Sequence, residues 1–193
     1  MEPKTEKGMI AKEKIYTAAL SLISKKGYDQ TTLIDICKEA EIGKGTFYHY
    51  FKSKMDILIT YIKDESTDLF DFYNSLTETS CREKLRKYLD YQLDYYKKKG
   101  PEIIRTIYSS EIKSGSDIFR IGEFATIRLI EKNINQGQTE GEYITSQSSK
   151  LLTKLLWGLI FYSTTEWSVS EEYYDIKETL LPELYKLIDL ISC

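Results

Sequence analysis

Lys44, Thr46, Tyr48 and His49 sit within one short run, interleaved with Gly45 and Phe47 and followed by Tyr50, Phe51, Lys52, Ser53 and Lys54. Duplex DNA asks for what this run supplies: positive charge for phosphates, hydrogen-bond donors for base edges, and a residue small enough to let the backbone approach. Phe47, Tyr50 and Phe51 recur at spacings of three and four, so a helix through the run turns an aromatic side inward and leaves Tyr48 and His49 opposite Phe47 and Phe51. Lys44 can donate to guanine O6 and N7, Thr46 can reach a base edge or a phosphate, and Gly45 lets the main chain come close.

The preceding residues position this run. Thr32 and Asp35 have the spacing of a capping box, and Leu33, Ile36, Cys37 and Ala40 follow on one helical face. Thr32 as N-cap places its hydroxyl and the first free N–H groups where a phosphate can sit. Glu41, Ile42 and Gly43 break the pattern, and Lys44 begins the second short helix. Two short helices joined by a tight turn make a helix-turn-helix, with the reading pair at about 32–51.

Ile15, Ala18, Ala19, Gly27, Tyr28, Thr31, Thr32, Ile36, Ala40 and the run Lys44 to Lys54 fall in an order and spacing that resemble the TetR family of transcriptional regulators, over roughly the first quarter to third of the chain. The resemblance implies an all-α protein of about nine helices: an N-terminal three-helix DNA-binding domain at 9–54, then a C-terminal helical ligand-binding and dimerisation domain at 55–193. It also implies phosphate contacts for Tyr48 and for Lys54, and a phosphate or base-edge contact for His49. Two departures stand out. Glu41 and Gly43 occupy the turn where the family usually has Gly and Ser, and Cys37 stands where Ala is common.

The chain has 193 residues, a net charge of −3, three prolines, ten glycines and sixteen tyrosines. Residues 1–54 carry ten lysines against seven acids, so this part is +3 and the remainder −6. A basic end on an acidic body suits a chain that grips phosphates with one end. Lys4, Lys7, Lys12 and Lys14 interrupt any secretory segment, and Leu155 to Tyr162 is too short for a membrane span, so a cytoplasmic protein without membrane contact is expected. Cys37, Cys81 and Cys193 have neither disulfide nor zinc-site spacing, and His49 is the only histidine, so no metal, no cofactor and no Ser-His-Asp triad are expected.

Helical periodicity predicts further elements at about 10–26, 54–75, 82–99, 101–113, 117–135, 145–167 and 176–191. Pro182 predicts that the last helix kinks or starts nearer Leu180. In the C-terminal body Tyr88, Tyr91 and Tyr95 share a face, Tyr108 and Glu111 lie on the seam of Ile104 and Ile107, and Arg128 shares a face with Phe124. Polar tips among apolar bodies suit a pocket for an unidentified small-molecule effector. Tyr91, Tyr95, Tyr108, Glu111, Phe124, Arg128, Trp157 and Phe161 are its candidates, and Glu111 favours a cationic or planar hydrophobic ligand. The all-apolar turns around Leu155, Gly158 and Tyr162, with the stripe of Leu184, Leu187 and Ile191, fit the homodimer interface that the resemblance implies. A dimer presents two reading helices about a two-fold axis, and hence a palindromic operator on double-stranded DNA. The expected function is that of a sequence-specific repressor released by a ligand, not an enzyme; the alternative is a helix-turn-helix that acts through protein–protein contacts.

Overall fold

The computed structural model describes residues 6–114, 118–172 and 174–193, with the side chains of 62, 65 and 110–124 outside the description. The described residues form nine α-helices and no strand: α1 (Glu6–Lys26), α2 (Leu33–Glu39), α3 (Lys44–Tyr50), α4 (Lys54–Ser75), α5 (Cys81–Lys99), α6 (Pro101–Ser114), α7 (Ile118–Glu140), α8 (Ser149–Val169) and α9 (Ile176–Leu190). They divide into two compact units, Met1–Ile62 and Lys63–Cys193. The division falls inside α4, later than the expected 54/55 boundary, because Ile57 in the first turn of α4 is buried in the N-terminal core.

That core gathers Ile15, Ala18 and Ala19 of α1, Ile36 and Cys37 of α2, Phe47 of α3, and Ala40 and Phe51 beside them. Each helix contributes one apolar stripe, which fixes how α2 and α3 are held against α1. Gly27 ends α1 with φ +86°, and its N–H donates to the Ile23 carbonyl at 2.9 Å. This left-handed stop is the one the sequence predicts.

In the C-terminal unit α5 packs on α6, α7 and α9, and α8 packs on α6, α7 and α9. Three details differ from sequence expectation. α7 runs through Gly137 to Glu140, because Gly137 is not a break but a contact: a Cβ there would lie 2.3 Å from the ring of buried Tyr143. Gly141 ends the helix instead, with φ +78°, and the Glu142 N–H returns to the Gly137 carbonyl at 2.8 Å. α8 starts later than predicted, at the cap where Ser148 accepts the Leu151 N–H. α9 runs unbroken through Pro182 from an Asp175 cap. Ile176, Leu180, Leu184 and Ile188 are buried on both sides of the proline, and this packing outweighs the lost backbone donor.

Candidate nucleic-acid interface

The capping box is complete. Thr32 Oγ1 accepts the Asp35 N–H at 3.1 Å, and Asp35 accepts the Thr32 N–H at 2.9 Å and the Thr32 hydroxyl at 2.8 Å. Lys26 donates to the same carboxylate at 2.7 Å. With the Lys26 ammonium and the Thr32 donors on it, Asp35 is held well below the usual carboxylate range. The Thr32 hydroxyl thus bonds within the protein and sets the start of α2.

The turn resolves the departure seen in the sequence. Glu41 itself takes the left-handed conformation, with φ +55°, while Gly43 is extended (φ −79°, ψ 156°) as N-cap of α3. A side chain at a left-handed position costs about 1 kcal/mol or more. Here Cys37 and Lys38 accept the Ile42 and Glu41 N–H groups at 2.9 and 3.2 Å, so the turn closes around Glu41. Cys37 lies in the core, where burial pushes its thiol pKa up against the opposing pull of Lys44.

α3 is anchored from below. Phe47 and Phe51 are fully buried with ring centroids 6.1 Å apart. Lys44, Gly45, Thr46, Tyr48 and His49 are all exposed, Tyr48 at 59%. A Cβ built on Gly45 meets nothing within 4 Å, so the glycine answers no steric need inside the chain. The exposed group is a continuous polar and aromatic face, seven-residue α3 having no other surface to offer.

Lys54, which the resemblance places on a phosphate, also has partners within the chain. Its Nζ donates to the Tyr28 carbonyl at 2.7 Å and the Thr31 carbonyl at 2.6 Å, and lies 4.1 Å from the centre of the Tyr28 ring. Burial lowers its pKa, partly offset by Asp29. Two of its three N–H bonds thus tie the start of α4 to the α1–α2 loop. Ser53 and Asp56 complete that corner: Ser53 Oγ accepts the Asp56 N–H at 3.1 Å, and the Asp56 carboxylate accepts the Lys52 N–H at 2.9 Å.

Among the described residues the candidate pocket residues of the C-terminal unit include two contacting pairs, Tyr91 with Tyr95 and Tyr108 with Phe161. Tyr91 stacks on Phe72 with centroids 3.8 Å apart, and Tyr95 donates to Asp68 at 2.8 Å, so both face α4. Tyr108 is buried against Phe161, with its hydroxyl 3.0 Å from Thr164 Oγ1. Trp157 is half-buried on α8 and Arg128 is exposed on α7. Glu111 and Phe124 lie outside the described side chains. Buried polar groups that sequence reasoning passed over include Gln92 and Thr126, joined to Tyr88 and Tyr96, and Asn133, joined to Tyr73, Tyr143 and the Cys81 carbonyl. Gln92 falls at the four-residue spacing between Tyr88 and Tyr96, a signal present in the sequence.

The dimer candidates separate into two sets. Leu155 is 50% and Tyr162 66% exposed, and Gly158 is exposed between them. Leu184 and Ile191, by contrast, are buried within the chain and Leu187 is half-buried. The α9 stripe is thus intrachain core for Leu184 and Ile191, because it packs on α5 and α8.

Among the described residues Cys81, Glu140 and Glu142 bring metal-type donors together. Their hydrogen bonds account for the grouping. Glu142 accepts the Ser80 hydroxyl at 2.6 Å and the Cys81 and Arg82 N–H groups at 2.8 and 3.1 Å, capping α5. The Cys81 thiol donates to Glu140 at 3.4 Å and is pushed up to about 12 by burial and by that carboxylate. No helix among the described residues is long and apolar enough to cross a membrane.

Residues 15–60, which span α1 to α3 and the start of α4, match the model of bacterial regulatory proteins of the tetR family. This N-terminal unit is a TetR-family DNA-binding domain. A Staphylococcus aureus negative transcriptional regulator of the biofilm operon icaADBC, IcaR, is 42% identical over 65 residues, 34% of this chain and 33% of that protein. The Bacillus subtilis fatty acid metabolism regulator protein is 24% identical over 166 residues, 84% of this chain and 86% of its own. A solved structure of the transcriptional regulator FadR from Bacillus subtilis in complex with stearoyl-CoA has the same fold, with a TM-score of 0.75 at 21% identity, over 91% of this chain and 96% of that one. The chain is a DNA-binding transcriptional regulator with a TetR-family reading domain.

Proposed function

We propose that this regulator is a cytoplasmic homodimeric repressor that holds a palindromic operator and releases it when a small-molecule effector binds the C-terminal unit. The observation that carries the reading is the exposed face of α3, where Lys44, Gly45, Thr46, Tyr48 and His49 stand over the buried Phe47 and Phe51. Lys44 and Thr46 read base edges, Tyr48 and His49 hold phosphates, and Gly45 admits the main chain. Thr32 and Lys54 hold the two helices in place from within.

The exposed line Leu151, Leu155, Gly158 and Tyr162 on α8 supports self-association, because its opposite side, Leu152, Leu156 and Ile160, already fills the chain's own core. Two copies joined there set two reading heads on one two-fold axis. The effector class we assign is a fatty acyl-CoA, on the strength of the fatty acid regulators that this chain resembles along most of its length. Release requires that the effector bind the DNA-incompetent arrangement more tightly than the other; affinity alone shifts nothing.

Fluorescence anisotropy on a palindrome from upstream of the protein's own gene tests this. Binding should weaken as salt rises, and stearoyl-CoA should release the DNA while free coenzyme A does not. Binding with no preference over a scrambled duplex would contradict the operator, and retention at saturating acyl-CoA would contradict the effector.

A further inference from the structure

Gln92 is 2% exposed on α5, between Tyr88 and Tyr96. Its Nε2 donates to Thr126 Oγ1 at 3.1 Å and to the Tyr96 hydroxyl at 3.3 Å. Tyr88 also donates to Thr126 Oγ1, at 3.1 Å. Gln92 Oε1 has no hydrogen-bond partner among the described residues. Exchanging the two ends of the amide does not cure this: the two hydroxyls would then serve the oxygen and leave both N–H bonds unmet.

Two of the other buried side-chain atoms without partners have simpler accounts: Glu78 and Arg86 belong to charged groups that form ion pairs through their remaining atoms. Thr153 Oγ1 on α8 is likewise unmet. Nearby polar pairs are mutually satisfied, as Tyr108 and Thr164 are. The two donor bonds of the Gln92 amide fix its orientation, and a buried acceptor left unmet calls for a specific explanation.

We infer that the effector carries a hydrogen-bond donor on its buried portion, a hydroxyl on an acyl chain, and that Gln92 Oε1 accepts it. This rests on the acyl-CoA reading above and narrows it: a plain alkyl chain leaves the oxygen unmet, whereas a hydroxylated one completes the Tyr88, Thr126, Gln92 and Tyr96 ladder. Gln92 is a specificity residue in this account, and the neighbouring hydroxyls orient its amide so that the oxygen faces the ligand.

Calorimetric titration of the full-length protein with lauroyl-CoA, 3-hydroxylauroyl-CoA and 12-hydroxylauroyl-CoA tests it. At least one hydroxylated probe should bind about tenfold more tightly than lauroyl-CoA. Gln92→Leu should abolish that preference, bind lauroyl-CoA no more weakly, and melt at or above the wild-type temperature. Equal affinities for all three probes in the wild-type protein would overturn the inference while leaving the acyl-CoA reading intact. So would a preference that survives Q92L, or a Q92L melting point well below wild type, which would make Gln92 structural. Absence of binding by any probe would overturn the effector reading and this inference with it.

Discussion

Replacing Lys54 by Met keeps the length of the side chain and removes its charge and donors. The structure gives the ammonium two carbonyl partners, Tyr28 at 2.7 Å and Thr31 at 2.6 Å, and the face of the Tyr28 ring. A hydrogen bond from a charged group contributes about 1.5–3 kcal/mol. Lys54 is only half-buried and part of that gain is offset by its desolvation, so the expected loss for K54M is about 2 kcal/mol. At about 1.4 kcal/mol per tenfold, amide exchange in peptides spanning 27–40 should accelerate by about thirtyfold, with α5 unchanged. Hydrogen exchange on full-length protein reads this directly. The salt dependence of operator binding should keep its slope, because no phosphate contact is lost. Unchanged exchange at 27–40 together with a slope smaller by about 0.9 would refute the clamp and make Lys54 a phosphate contact.

Gly45→Ala should leave the fold as stable or more so, since a Cβ there meets nothing within 4 Å and Ala favours a helix by up to about 1 kcal/mol, while operator affinity falls about tenfold; unchanged affinity would place DNA elsewhere. Leu155→Glu, at a half-exposed position, should keep the melting profile of the monomer fold but give a monomer in sedimentation equilibrium and weakened operator binding. A dimer that persists would move the interface off α8. Glu142→Gln should cost about 1–2 kcal/mol at neutral pH through the α5 cap. Burial raises the Glu142 pKa, but the Ser80, Cys81 and Arg82 donors outweigh it and the net direction is down. Its contribution is therefore full above the ordinary carboxylate pKa of about 4.3 and fades as pH falls through the lowered folded value, so the wild-type and E142Q melting curves should converge in acid.

The reading head was legible because its determinants are local. The Thr32–Asp35 box, the Phe47–Phe51 spacing and the left-handed Gly27 are all written within a few residues, and local spacing is what a helix enforces. Where the left-handed turn residue sits was not legible: Gly43 invites the assignment, yet Glu41 takes it, because the N–H bonds to Cys37 and Lys38 decide the turn. The resemblance makes Lys54 a phosphate contact, and its bonds to the Tyr28 and Thr31 carbonyls are long-range contacts that no local spacing announces. The C-terminal unit was harder for the same reason. Tyrosine stripes at helical spacing mark buried faces without saying which neighbour covers each, so Tyr91 and Tyr95 proved to be spoken for by Phe72 and Asp68. Leu184 and Leu155 look alike as apolar helical positions, and only packing separates core from open surface. Pro182 by itself argues for a break, yet a stripe buried on both sides of it holds α9 together as one helix from Ile176.

Selection of bound duplexes from a random pool tests the central claim most directly. A two-fold DNA-reading dimer predicts an enriched palindrome whose half-sites lie about 34 to 36 Å apart, or a multiple of that, with loss of enrichment when Lys44 and Tyr48 are changed to Ala. A pool that yields no motif, or one unaltered by those changes, would contradict α3 as the reading helix.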